Sequence, residues 1–458
     1  MINIGNTWRK LIVSQIIKYL VSDPDKNLPR ALNLAKMLAF GEQKKTVQNV
    51  IDMYNSPDHA CSKYFKKIFS NLNKTFIVKT FTNFLVNATW DGDRKRRQVE
   101  EKEGVHIPYF LLIDPTEKCN LKCDGCWAGN YEQAATMDKK LFSSILDQAR
   151  DLGIYFVTIS GGELFMYPYL LDVIEEKNDM VFQIYTNGIF IDEKAIQRMA
   201  KIGNVFPAIS VEGFEERTDA RRGKGVFKKI TGNMDLLKEA KVPFGFSVTV
   251  TRENFDEISG EEFVNFMDKK GALICWYFMY VPIGRNPSFE SMLTPEQRAE
   301  LFKRVSFYRK SRPILLVDFW NDGEAVSGCI SSGRKYLHIN AKGDVEPCAF
   351  VHFAVDNIRE KSLKECLKAD FLKFLQSKIP FSENLRRPCM IIDNPWILRE
   401  AVQKYSAHPT CGEADAILEE LKGSMDEYAY SWQKVADEVW CDRKSADKEQ
   451  MLISSRKN

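Results

Sequence analysis

Cys119, Cys123 and Cys126 stand in the run Cys119-Asn-Leu-Lys-Cys123-Asp-Gly-Cys126, on the segment that leaves an apolar strand predicted over Tyr109 to Asp114. Three thiolates at this C-x3-C-x2-C spacing can hold three irons of a four-iron cluster and leave the fourth iron open. An open iron means chemistry, as the vacant position of a three-ligand zinc site does. A zinc knuckle is an alternative use of the cysteines, but no fourth ligand lies nearby. Disulfides are another, and they suit a secreted chain. No short apolar core with a small-residue cleavage site opens the sequence, so the expected location is a reducing cytoplasm where thiols are free for metal.

Downstream, each strand ends in residues suited to a ligand. The second predicted strand, Ile154–Ile159, ends in Ser160-Gly161-Gly162-Glu163. Its glycines let backbone approach a ligand closely and leave Glu163 to face an ammonium. The third, Val181–Thr186, ends in Thr186-Asn187-Gly188, and the fourth, Val205–Val211, runs through Ser210-Val211-Glu212-Gly213. A loop Arg221-Arg222-Gly223-Lys224-Gly225-Val226-Phe227 follows. The cysteine run followed by Gly161-Gly162-Glu163 at the next strand end resembles the radical S-adenosylmethionine (SAM) superfamily. The resemblance implies a [4Fe–4S] cluster on Cys119, Cys123 and Cys126 that binds SAM and cleaves it reductively to a 5′-deoxyadenosyl radical. It further implies that Gly161, Gly162 and Glu163 meet the methionine amino group, that Asn187 lines the pocket, that Ser210 and Glu212 lie near ribose and carboxylate, and that Arg222 pairs with the carboxylate. Two departures stand out. Glu212 replaces a more frequent Asp, and Gly125 stands where an aromatic residue stacked near adenine is usual, with Trp127 as the available substitute.

A second cysteine set begins at Cys329 and Cys348, which bracket Lys335–Asn340 and a glycine turn at Gly343. This C-x13-G-x4-C hairpin resembles the opening of the SPASM/twitch extension, which carries auxiliary clusters. The dense cysteine run that completes a full SPASM region is absent, so one auxiliary [4Fe–4S] cluster is expected. Its expected ligands are Cys329, Cys348 and Cys389, with Cys411 as fourth. Cys61, Cys275, Cys366 and Cys441 read as small buried hydrophobes. On the sixth strand, Leu273–Val281, Trp276 and Phe278 read as packing, whereas Tyr280 and Arg285 sit at or beyond its end and read as site residues.

These residues need elements to place them. From 105 to 320, six strand candidates alternate with helical patterns, which argues for a parallel sheet covered by helices. Six units suit the partial (β/α)6 barrel that the resemblance implies, an α/β fold with its site at the C-terminal strand ends. Residues 1–104 read as a helical N-terminal domain. Pro29 marks a helix start there, one Phe- and Lys-rich helix runs from Tyr64 to Leu85, and Asp91 to Glu103 reads as a linker. Residues 321–412 read as the cysteine-bearing, SPASM/twitch-like region, and 413–458 as two helices and a polar tail.

Composition sets the outer limits. Hydrophobic content of 44% and charged content of 28% fit a globular chain with a large core. No apolar run reaches the length of a membrane span. Residues 1–90 hold 13 Lys and Arg against 5 Asp and Glu, a surplus of +8 that leaves −5 for the rest of a chain of net charge +3. A basic, Phe-rich start predicts contact with an anionic membrane, so a peripheral membrane location is expected and nucleic acid is not. The first functional expectation is hydrogen abstraction from an unactivated carbon of a lipid acyl chain. The alternative is a SPASM/twitch-type maturase of peptides or proteins. A non-catalytic electron carrier is the third reading, and a carrier needs neither the open iron nor the Gly-Gly-Glu turn. Flavodoxin or ferredoxin is the expected reductant.

Overall fold

The computed structural model describes residues 6–38, 42–56, 58–129 and 135–455; side chains past 439, Cys441 among them, and a few in the first helices lie outside the described set. Six α-helices come first: α1 (Asn6–Ser22), α2 (Pro24–Leu38), α3 (Glu42–Asn55), α4 (Ala60–Asn71), α5 (Lys74–Thr82) and, after a π-helical stretch Asn83–Asp91, α6 (Gly92–Glu103). Strands and helices then alternate: β1 (Phe110–Ile113), α7 (Lys139–Asp151), β2 (Phe156–Ile159), α8 (Leu170–Glu176), β3 (Val181–Thr186), α9 (Glu193–Ile202), β4 (Val205–Ser210), α10 (Glu215–Arg222), α11 (Val226–Glu239), β5 (Gly245–Val250), α12 (Phe255–Ile258), α13 (Glu261–Lys270), β6 (Ile274–Met279), α14 (Pro295–Ser311) and β7 (Leu315–Asp318).

The strands form one sheet in the order β7-β6-β5-β4-β3-β2-β1-β8-β9, with β8 (Tyr336–Ile339) and β9 (Val345–Glu346). Every pair from β7 to β8 is parallel, and only β8–β9 is antiparallel. The sheet is therefore a partial barrel, left open between its edge strands β7 and β9. All six predicted strands, the fifth of them over Phe244–Val250, are present within two residues of their predicted ends. The structure adds β7 at one edge and, at the other, β8, which pairs in register with β1 from Phe110↔Tyr336 to Ile113↔Ile339. The cysteine-bearing hairpin is thus an extension of the barrel wall. Outward residues such as Leu111, Ile113, Val157 and Ile159 are fully buried under helices. Inward ones face the barrel interior.

The helical domain closes the other end of the barrel. Lys79 Nζ donates to Ile202 O at 2.7 Å, Asn83 Nδ2 to Asn178 O at 2.9 Å, Asn87 Nδ2 to Asp179 O at 2.7 Å and Arg96 Nη1 to Gly153 O at 2.7 Å. Lys67 Nζ reaches Ala272 O at 2.7 Å. These carbonyls all lie just before β2, β3, β4 or β6, where the preceding turn leaves backbone acceptors open. Phe76 of α5 meets Phe206 of β4 edge to face, ring centroids 6.4 Å apart.

Four expectations change. Tyr64 to Leu85 is not one helix: it breaks at Leu72 and Asn73, where the Asn73 side chain caps α5. Its Phe69, Phe76 and Phe81 pack inward, while Phe84 and Leu85 stay exposed. Asp91 to Glu103 is helix α6, closed by Gly104 at φ 63°, and not a linker. Pro29 lies inside α2, which begins at Pro24. At the other end, a short 3-10 turn (Ala414–Ile417) and one helix from Lys422 through Ser455 stand in place of two helices and a tail.

Candidate active site

The loop leaving β1 is seated on the Gly-Gly turn by backbone alone. Gly162 N donates to Thr116 O at 2.8 Å, and Glu163 N to Lys118 O at 2.7 Å. A Cβ on Gly162 would lie 2.1 Å from Lys118 O, and Gly161 adopts φ +117°. Glycine is required here because backbone approaches backbone.

Glu163 does not reach the cavity. It is fully buried, and its carboxylate accepts from Thr186 Oγ1 at 2.7 Å, Asn187 N at 2.8 Å and Phe165 N at 3.0 Å. Burial raises its pKa, and those hydrogen bonds oppose the rise. Asn187, fixed in this way, donates from Nδ2 to Asn120 Oδ1 at 2.7 Å, and Asn120 directly follows Cys119. Glu163 therefore positions the cysteine loop through Asn187.

Arginines hold the loop from its other side. Arg221 Nε donates to Asp124 O at 2.9 Å, and its Nη2 to Gly125 O at 3.1 Å. Glu212 Oε1 accepts from Arg221 Nη1 at 2.6 Å and from Arg222 Nε at 2.9 Å. Arg222, expected at the SAM carboxylate, is thus committed to Glu212. Burial works against its charge, but the Glu212 carboxylate outweighs it and keeps the guanidinium ionised. Arg285 N donates to Cys126 O at 3.0 Å. Asn120 and Arg221 are not picked out by any spacing rule, although Arg221 adjoins the loop arginine that is.

Gly125 has a local cause. A Cβ there would lie 2.5 Å from Tyr280 Cε2, and Tyr280 OH is fixed by Ser288 N at 3.0 Å. An aromatic ring from the end of β6 takes the space that an aromatic residue at 125 would need. Trp127 turns the other way, with ring centroids 6.0 Å from His338 and 5.8 Å from Phe350.

One cavity of about 830 Å³ joins these parts. Cys119, Cys123 and Cys126 lie on its wall together with Gly161, Gly162, Asn187, Ser210, Arg222, Tyr280 and Arg285. Cys329, Cys348 and Cys389 lie on the same wall. Between the two sets the lining is aromatic: Phe110, Phe156, Trp276, Phe278, Phe319 and Phe350. Trp276 and Phe278, expected to be packing, stack on each other at 6.1 Å and face this space. Cys411 is not brought to the wall. Its Sγ lies 3.0 Å from His352 Nδ1, and burial pushes its thiol up to about 11. Cys61, Cys275 and Cys366 also lie off the cavity, the last two buried.

The donor set suits iron–sulfur clusters. Among the described residues no three His, Cys, Asp or Glu side chains converge on a single metal ion. A four-iron cluster sets each thiolate on its own iron, so wider spacing fits it. The thiols do sense one another: Cys123 and Cys126 raise Cys119, and Cys329 raises Cys348 and Cys389. Burial is the largest cause in each case, pushing Cys119 to about 11 and Cys348 to about 12. Hydrogen-bond donors already point at the sulfurs, with Tyr336 OH 2.8 Å from Cys348 Sγ, Ser331 Oγ 3.0 Å from Cys329 Sγ and Ile391 N 3.3 Å from Cys389 Sγ.

Residues 113–263 match the radical SAM superfamily, and residues 329–390 match an iron–sulfur cluster-binding domain, SPASM. The chain thus carries a radical SAM domain and a SPASM-type extension. Its cofactors are accordingly SAM, a [4Fe–4S] cluster and an auxiliary iron–sulfur cluster. It is 22% identical over 270 residues to the sporulation killing factor maturation protein SkfB of Bacillus subtilis, covering 57% of this chain and 65% of that one. It is 22% identical over 289 residues to an AdoMet-dependent heme synthase of Methanosarcina barkeri, covering 57% and 82%. The fold is similar to that of Streptococcus suis SuiB bound to its precursor peptide SuiA, with a TM-score of 0.52, 22% identity and coverage of 62% and 70%.

Beneath both cysteine sets lies a buried charged network. His338 Nε2 sits 3.1 Å from Asp114 Oδ2, and its Nδ1 2.5 Å from Glu346 Oε2. Ser160 Oγ donates to Asp114 Oδ1 at 2.5 Å, and Thr410 and Asn340 donate to Glu346 Oε1. Burial opposes charge on His338, but the two carboxylates outweigh it and push its pKa up to about 10. The network ties β1, just ahead of the Cys119 loop, to β9, just ahead of Cys348.

Proposed function

We propose that this chain is a radical SAM enzyme that abstracts a hydrogen atom from an unactivated carbon of a peptide or protein, in the manner of a maturase. The observation that carries this reading is the pair of three-cysteine sets on one aromatic cavity. Cys119, Cys123 and Cys126 hold the SAM-binding cluster; Cys329, Cys348 and Cys389 hold the auxiliary cluster and leave one iron position open. When bound, SAM and its cluster supply the 5′-deoxyadenosyl radical by one-electron reductive cleavage, with flavodoxin or ferredoxin as the reductant. The chain's own residues do the rest. The Gly161-Gly162 backbone, Asn187 and Ser210 bind SAM. Glu163, Asn120 and Arg221 keep the loop in place, and the helical domain shuts the far end of the barrel against water.

The peptide reading is supported by the relatives, which include SkfB, a PqqA peptide cyclase of Gluconobacter oxydans at 23% identity, and SuiB. A second reading, a lipid acyl chain as substrate, is favoured by the aromatic lining between the cysteine sets.

Anaerobically reconstituted protein with dithionite and SAM should release 5′-deoxyadenosine. Deuterated peptide and lipid fractions of cells are then offered separately, and label entering 5′-deoxyadenosine from the peptide fraction alone is expected. Label from the lipid fraction alone refutes the peptide reading. Cys123→Ala should lose all SAM cleavage. Cys348→Ala should keep uncoupled cleavage and lose product, and full turnover by that variant would remove the auxiliary cluster from the mechanism.

A further inference from the structure

Helix α1 has two apolar faces, and the protein's own packing uses one. Val13, Ile17 and Val21 turn inward onto the cluster that holds Phe76 and Ile77 of α5. Trp8, Leu11, Ile12, Ile16 and Tyr19 turn outward, with exposures from 46% for Tyr19 to 64% for Trp8. At 3.6 residues per turn these five fall on one side of the helix. A lone exposed apolar residue needs no explanation, but a contiguous face does. The helix carries Arg9, Lys10 and Lys18 and no acidic residue, within the segment of +8 charge. No helix among the described residues is long and apolar enough to cross a membrane.

We propose that the outward face of α1 docks this protein in the plane of an anionic lipid bilayer, with Trp8 and Tyr19 at headgroup depth. Amphipathic helices with aromatic and aliphatic residues on one side and basic flanks bind such interfaces, by apolar burial together with attraction to acidic lipids. A second copy of the chain is the competing occupant, and charge disfavours it: two α1 faces would bring two strongly basic segments together. Helix α1 packs on α5 beneath the barrel, so docking leaves the cysteine end accessible. The proposal is independent of which substrate the cavity takes.

The test uses the full chain and flotation with vesicles of phosphatidylcholine alone or mixed with phosphatidylglycerol. Binding to the mixed vesicles only is expected, weakening severalfold as salt rises above about 0.1 M. Ile12→Ser with Ile16→Ser should lower that binding by about tenfold or more and leave the thermal melt unchanged, because both side chains are exposed. Should the double variant melt lower, Trp8→Ser replaces it. Absence of wild-type binding to the mixed vesicles, or variant binding equal to wild type, overturns the proposal. So does a wild-type dimer in analytical ultracentrifugation that the variant dissolves.

Discussion

Removing His338 isolates the network that joins the two cysteine-bearing segments. His338→Leu leaves Asp114 and Glu346, both essentially unexposed, as buried carboxylates without their shared cation. Breaking a buried ion pair from one side costs about 3–5 kcal/mol, because the remaining charge stays desolvated. Proton linkage gives a matching scale. The imidazole's pKa is about 10 in the fold against about 6.5 unfolded, and about 1.4 kcal/mol per unit sets a ceiling near 5 kcal/mol. The sign is fixed by the direction of the shift. A raised histidine stabilises fully below its unfolded value and loses that stability as pH climbs through its folded one. Glu346, raised by burial, acts in the same direction at lower pH, since its protonated form is the one the fold favours. Urea unfolding of iron-free protein, followed by tryptophan fluorescence, should therefore show wild-type stability falling between about pH 6.5 and pH 10. The variant should lack that slope and be less stable by about 3–5 kcal/mol at neutral pH. A flat wild-type profile, or a variant loss under about 1 kcal/mol, refutes a charged His338 between two carboxylates.

Gly162→Ala should fold yet reconstitute with much less iron per chain, because its methyl group would sit 2.1 Å from Lys118 O and displace the Cys119 loop; iron analysis and visible absorbance check this. Gly125→Phe should weaken SAM binding measured by calorimetry, and adding Tyr280→Ala should recover part of it, since the two rings compete for one space. Phe76→Ala should destabilise the protein by about 3–5 kcal/mol in urea titrations without changing SAM affinity, because Phe76 packs on the barrel floor far from the cysteines.

The strands were legible because each carries a short run rich in apolar, β-branched or aromatic residues, and the cysteine clusters because their close spacing stands out in the chain. The roles of Glu163 and Arg222 were not, because a carboxylate or guanidinium within a motif looks the same whether it meets a ligand or another side chain. Here Glu163 meets Thr186 and Asn187, and Arg222 meets Glu212. Cys411 shows the same limit. Its place in the order of cysteines fits a fourth ligand, but the fold brings it to His352. The pairing of β8 with β1 is a contact over more than two hundred residues, beyond the reach of any local pattern.

The floor of the barrel changes how the basic N-terminus should be read. Part of its charge is spent inside the protein: Lys67, Lys79 and Arg96 end on carbonyls or on Asp268, and the Phe-rich face around Phe76 packs inward. A fragment of residues 1–104 would expose that inner face and those donors to water, so its vesicle binding would report on unpaired packing surface. The complementary fragment, 105–458, would expose the carbonyls ahead of β2, β3, β4 and β6 together with Phe206 and Leu273. Both are expected to aggregate when expressed apart and to be recovered as a soluble complex when co-expressed. Separately soluble fragments would mean that the helical domain is an appended module and not the closing layer of the barrel.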